Sequence, residues 1–189
     1  MRHKYETLGI VLSRTHAGEA NTYVTVLTPE LGLVRARAQS LRKPGAKLAT
    51  ALTTYAESSL VLVRGKEQWR VAGAVLGENW FAKMRSVHAR RGAARVSGLL
   101  LRLVAGETQD AKLFPIMQGF FQALVELPEE AHDAAEVLAV SHILVALGLD
   151  AGGIPGEPLC FDPTLLADIA SDRPSYISRI NRGIAASGL

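Results

Sequence analysis

Cysteine occurs once in the 189 residues, as Cys160. A single thiol excludes an intramolecular disulfide framework and a cysteine-rich zinc site, and it is compatible with a reducing compartment. The five histidines are scattered, with neither an H-E-x-x-H pair nor paired-cysteine spacing, so no residue is assigned to a metal. No apolar run approaches the ~18 residues of a membrane span. The N-terminal "MRHKYETLGIVLSR" holds no apolar signal segment. These absences lead to the expectation of a soluble, cytoplasmic protein without a membrane partner. Phosphate-binding loops are missing as well. "GAKLAT" lacks the Gly-Lys-Ser/Thr order through which backbone amides and a lysine share phosphates, and no dinucleotide fingerprint follows the first strand. No cofactor and no small-molecule substrate are therefore expected. A hydrolase built on His16 or Cys160 needs a neighbouring base that the sequence does not supply. No catalytic residue is assigned, and the chain is taken to be a non-enzyme. His142 falls on an apolar helix, as a core or partly buried histidine.

Acidic residues are scarce in one half only. From Met1 to Arg102 there are 17 Lys and Arg against 6 Asp and Glu, a balance of +11. From Leu103 onward 4 against 12 give −8, and the whole chain carries +3. Opposite signs suggest two modules with different partners. The basic half has the electrostatic footprint of a nucleic-acid binder. A hydrophobic share of 48% beside 21% charged residues is globular rather than disordered composition.

Residues 1–80 have the pattern of short strands. "TLGIVLSR" is rich in aliphatic and β-branched residues, and in "NTYVTVLT" Tyr23, Thr25 and Leu27 alternate with Thr22, Val24 and Val26. "PELG" supplies a turn and "LVRARA" returns as the third strand. "TYAESSLVLVRG" and "QWRVAGAVL" form a second hairpin around Gly65-Lys66-Glu67. Five strands at this spacing suggest a small barrel or sandwich. Residues 81–189 are helical. Ala89, Ala93, Val96, Leu100 and Leu103 make one apolar face, with His88, Arg91, Arg95 and Arg102 opposite. Pro115 opens a second helix with a stripe of Ile116, Phe120, Phe121 and Leu124. "AAEVLAVSHILVALG" is apolar nearly all round, which predicts a buried central helix stopped by Gly148. "AGGIPGEPLCFDP" is a loop, and a last helix starts near Pro174.

The most informative stretch is "VRARAQSLRKPGAKLAT", from Val34 to Thr50, with five basic residues and no acidic one. Strand alternation puts Arg35 and Arg37 on one face and Val34, Ala36 and Ala38 on the other. Arg42, Lys43 and Lys47 extend the charge through a loop that Pro44 and Gly45 keep irregular. Such a surface tracks a phosphate backbone. A charged outer face that blunts an edge strand accounts for two arginines more readily than for five uncompensated cations. Single-strand binders usually stack bases on exposed aromatics. Here Tyr5, Tyr23, Tyr55, Trp69, Trp80 and Phe81 are all that the basic half offers, and several must fill the core. Binding is expected to lean on charge, with weak sequence preference and strong salt dependence. The helical cations, Arg91 and Arg95 above all, either continue this binding surface or form a solvated helix face.

"GIVLSRTHAGEANTYVTVLTPELGLVRARAQSLRKPGAKLA", followed by "ALTTYAESSLVLVRGKEQWRV", resembles the N-terminal region of the RecO family of recombination mediators. The shared order is "GIVL", "GE", a strand ending in "LT", "GL", and a strand leading into a basic "RKPGAK" loop. The resemblance implies a five-stranded oligonucleotide-binding barrel over residues 1–80 and an all-α domain over 81–189. It implies binding and annealing of single-stranded DNA, contact with double-stranded DNA, a nucleoid-associated location, and work with a RecR-type mediator and a single-strand-binding protein. By position, Arg14, Arg35, Arg37, Arg42, Lys43 and Lys47 inherit the DNA contacts. Many members carry a four-cysteine zinc site after the central helix; with only Cys160 there, the resemblance implies a shortened member without it. The competing reading is a protein-interaction adaptor whose basic loop only steers association.

Overall fold

The computed structural model describes residues 3–17, 21–39, 47–66, 68–104 and 110–189. The chain divides into two compact units, Met1–Ala82 with Gly106–Phe114, and Lys83–Ala105 with Pro115–Leu189. Among the described residues no helix is long and apolar enough to cross a membrane.

The first unit contains β1 (Lys4–Ala17), β2 (Asn21–Thr28), β3 (Gly32–Gln39), a short helix α1 (Lys47–Ala51), β4 (Ala56–Arg64), β5 (Trp69–Asn79) and the single-turn α2 (Trp80–Lys83). The strands join in the order β1-β2-β3-β5-β4, and β4 pairs back onto β1, so the sheet closes into a barrel. One strand must serve two partners for that closure. The first half of β1 pairs with β4 and its second half with β2, with a register irregularity between Val11 and Ser13. A bulge bends a strand and increases its twist, which lets it cross from one neighbour to the other. Gly9 lies just before the irregularity. A Cβ there would clash with the Val26 side chain and come within 2.7 Å of Leu60 Cδ1. Opposite, β3 and β5 run parallel, and among the described residues they share Ala36↔Trp69 and Arg37↔Arg70.

The interior follows from period-two alternation. Val24, Val26, Val34, Ala36, Ala38, Leu60 and Leu62 fill it together with Trp69, and the Tyr5 ring meets Trp69 edge-on at 5.1 Å. The aromatics are thus largely spent on packing: Tyr55, Trp69 and Trp80 are all buried. The "PELG" turn closes because the Thr28 hydroxyl accepts from Leu31 N and donates to Gly32 O, both at 3.0 Å, while Gly32 takes a left-handed φ of 66°. Two sequence expectations need qualification. Lys47 opens α1 rather than lying in a loop. Residues 40–46, including Arg42, Lys43, Pro44 and Gly45, lie outside the described residues, as does Glu67 of the second hairpin turn.

The second unit contains α3 (Val87–Leu103), α4 (Leu113–Glu126, whose first two residues group with the barrel), α5 (His132–Ala146), α6 (Pro163–Ser171) and α7 (Arg173–Ala186). Ser86 caps α3 by accepting from Ala89 N at 3.0 Å, a contact worth about 1 kcal/mol. Ala89, Ala93, Val96 and Leu100 are buried as the periodicity predicts, and so are Ile116, Phe120, Phe121 and Leu124 of α4. Helix α5 is buried over most of its length, His142 included, and packs against α3, α6 and α7. Gly148, at φ 71°, ends it. Helix α6 has no counterpart in the sequence reading, although Asp162 caps it by accepting from Thr164 N at 2.8 Å and Pro163 occupies its first turn.

Candidate nucleic-acid interface

In β3 the alternation holds: Val34, Ala36 and Ala38 are buried, Arg35 is exposed and Arg37 is half-buried. The β2–β3 register sets Asn21 opposite Gln39, Tyr23 opposite Arg37 and Thr25 opposite Arg35. All of these lie on the outer face, because the intervening pairs Thr22↔Ala38, Val24↔Ala36 and Val26↔Val34 are buried. On one side Ser13 and Thr15 of β1 extend this face, opposite Thr25 and Tyr23. On the other, the parallel seam places Arg70 of β5 beside Arg37.

Local contacts orient the cations. The Arg35 guanidinium carbon sits 4.7 Å from the Tyr23 ring centroid, a cation–π contact that restrains an otherwise mobile side chain. Arg37 Nε donates to Asn21 Oδ1 at 3.0 Å. The Tyr23 hydroxyl donates to Gln68 Oε1 at 3.2 Å. Among the described residues none of Arg35, Arg37 and Arg70 is ion-paired. The face therefore presents three guanidiniums with uncompensated charge and one aromatic ring partly covered by Arg35. Planar forks of this kind match phosphate oxygens, and among the described residues no acid is paired with them.

The other sequence-derived residues separate from this face. Arg14 pairs with the fully buried Val24, which puts it on the opposite side of the strand from Thr15 and Tyr23, half-buried. Arg42 and Lys43 lie outside the described residues, and Lys47 is described in its backbone alone. Arg91 and Arg95 are exposed on α3. Arg95 is engaged: its Nε and Nη2 donate to the two carboxylate oxygens of Glu136 on α5 at 2.6 and 2.5 Å. That hydrogen-bonded carboxylate raises the Arg95 pKa further above its ordinary value. Asp133, one turn earlier, is held below the usual carboxylate range chiefly by its hydrogen bond from Arg173. Carboxylates of the helical unit thus answer part of its basic stripe.

Sequence reasoning assigned no role at this face to Asn21, Gln39, Gln68 or Arg70, and it named Tyr23 only among the aromatics of the basic half and in the alternation of the second strand. Alternation in "QWRV" places Arg70 on the face opposite Trp69, so its outward direction was readable. Its neighbour was not, because a parallel pairing across more than thirty residues leaves no local trace.

Residues 1–76 match the family described as "Recombination protein O N terminal". Among curated proteins, the chain is 32% identical over 150 residues to a protein of Roseiflexus sp. (strain RS-1) named "DNA repair protein RecO", covering 76% of this chain and 50% of that protein. A protein of the same name from Dehalococcoides mccartyi (strain ATCC BAA-2266 / KCTC 15142 / 195) is 28% identical over 122 residues, 65% of this chain and 48% of the relative. A third, from Nostoc sp. (strain PCC 7120 / SAG 25.82 / UTEX 2576), is 25% identical over 194 residues, covering all of this chain and 63% of its own length. The chain spans about half the length of the first two.

Proposed function

We propose, from the premise that this chain belongs to the RecO family through its N-terminal region, that it is a non-enzymatic DNA-repair mediator. It binds single-stranded DNA, anneals complementary strands, and helps load a recombinase at gaps. Its barrel is of the oligonucleotide-binding type. In such folds the face of strands 2 and 3 and the adjoining loops carry the ligand, and that is the face on which Tyr23, Arg35 and Arg37 meet here. The observation that carries the reading is this group of guanidiniums, without an ion pair among the described residues and oriented by Tyr23 and Asn21.

Annealing follows from the same chemistry. Two strands repel through their phosphates, and a surface that neutralises several phosphates lowers that repulsion. The helical unit then serves a RecR-type mediator and a single-strand-binding protein, in a cytoplasmic, nucleoid-associated setting. No step requires a bond to be made or broken, so no nucleophile or base is invoked.

One observation favours the adaptor reading. On the outer face of β1, β4 and β5, Leu8 and Val75 are 45% and 70% exposed and flank Ser59, an apolar strip suited to protein contact. Fluorescence titration with labelled single- and double-stranded oligonucleotides at two salt concentrations separates the readings. Salt-weakened binding of single strands is the expected result. The absence of binding at low salt would leave the adaptor.

A further inference from the structure

The parallel seam places two arginines side by side. Arg37 and Arg70 are direct register partners, and both are half-buried. Like charges directly opposite each other in a sheet are destabilising, and partial burial weakens the screening that would relieve them. Arg37 is tied through Nε to Asn21, which fixes its fork and leaves its terminal nitrogens as donors. Arg70 has no hydrogen-bond or ion-pair partner among the described residues. The two frame a shallow cleft with Gln39, Val63, Val71 and the small, exposed Ala72. Among the described residues no carboxylate lines it.

We infer that Arg37, Arg70 and Gln39 form a phosphate-binding cleft across the β3–β5 seam, which adds β5 to the DNA-contacting surface. This rests on the barrel being a single-strand binder. A phosphodiester between the two forks accepts from both and converts a repulsive pair into a bridged one, with charge-assisted hydrogen bonds. The Gln39 amide supplies a neutral donor at the exposed end of the same strand. The path then crosses the barrel from Tyr23 and Arg35 over the seam, away from Arg14.

The test uses the full chain and a fluorescein-labelled single-stranded oligothymidylate, with anisotropy read from 50 to 200 mM salt. Arg70→Gln is expected to make the log–log salt slope shallower by about 0.7, so that its affinity deficit relative to wild type shrinks roughly two- to three-fold across that range. Arg70→Lys, which keeps the charge, is expected to retain the slope. Arg182→Gln removes one exposed charge from the helical unit and is expected to leave the slope at its wild-type value. Melting temperatures check folding, and Arg70→Met, which keeps the aliphatic stem, replaces the Gln variant if that melts early. Wild-type binding with an unchanged slope in the charge-removing variants overturns the cleft and leaves the proposed function standing. An equal change in Arg182→Gln makes the effect one of general field and also overturns it. If the wild-type chain does not bind the oligonucleotide, the proposed function itself falls.

Discussion

Arg35 and Arg37 are two residues apart on one strand, and each has its own anchor, the Tyr23 ring for one and the Asn21 amide for the other. Replacing both with Ala removes two cations from the outer face without touching the buried Val34, Ala36 and Ala38. The salt slope for single strands should become shallower by about one unit or more, at ~0.7 per phosphate, and all sequences should weaken alike because no base edge is read. An unchanged slope in oligonucleotide titrations would remove this face from the interface. His142 makes a different residue-scale argument. It is buried in α5, its Nε2 has no partner among the described residues, and burial lowers its pKa, with Glu157 only partly opposing. The folded state therefore resists protonation more than the unfolded chain does. Stability linked to this group is complete above the ordinary histidine value of about 6.5 and is lost as pH falls below it. Denaturant midpoints of the wild type should decline between pH 7.5 and 5.5, and His142→Leu should decline less over the same interval. Equal declines would show that the histidine is not the group responsible.

At the scale of elements, the loop after α5 is held by a small polar knot. Asp150 accepts from Gly152 N at 2.9 Å and from Arg179 of α7 at 2.8 and 3.2 Å, and Arg179 also reaches Gly153 O. The Asp150 carboxyl is held below the usual range, first by the Gly152 amide and then by Arg179. A depressed folded-state pKa gives stability that is present above the unfolded value of about 3.9 and lost as pH falls through the folded one. Asp150→Asn should lower the thermal midpoint at pH 7, and its deficit should narrow toward pH 3; a constant deficit would assign the loss to packing instead. This knot also shows why elements differed in legibility. Helices α3, α4 and α5 announced themselves by their apolar patterns, with Pro115 and Gly148 as a start and a stop, and α7 by Pro174 in its first turn. Helix α6 did not, because "TLLADIAS" follows a Gly- and Pro-rich run and carries only Leu166 and Ile169 as fully buried positions. The strands were legible from alternation, and Arg35 and Arg37 with them. Register was not: the Arg37–Arg70 seam and the mismatch between Arg14 and that face depend on which strands meet. That is settled by non-local pairing rather than by neighbouring residues.

For the whole molecule the question is how far the +11 balance of residues 1–102 acts as an interface. In the barrel, Arg35, Arg37 and Arg70 make no ion pair among the described residues. On α3, by contrast, Arg95 already pairs with Glu136, so reversing its charge would set two carboxylates together and unsettle α3 against α5. Arg91 and Arg102 are exposed and make no ion pair among the described residues, which makes them the cleaner probes. Arg91→Glu with Arg102→Glu changes the charge of the helical unit by four while leaving its buried stripe intact. If α3 supplies a second segment of DNA contact, a strand long enough to engage both units should lose more affinity than one that just covers the barrel. Each released phosphate contact should take about 0.7 from the slope for the long strand alone. Fluorescence titrations with two oligonucleotide lengths, at low and moderate salt, measure this directly. Equal losses at both lengths would mean that the helical charges act only as a distant field, which a Debye length of about 8 Å at physiological salt should largely erase. No loss at either length would make the stripe a solvated helix face and confine the interface to the barrel.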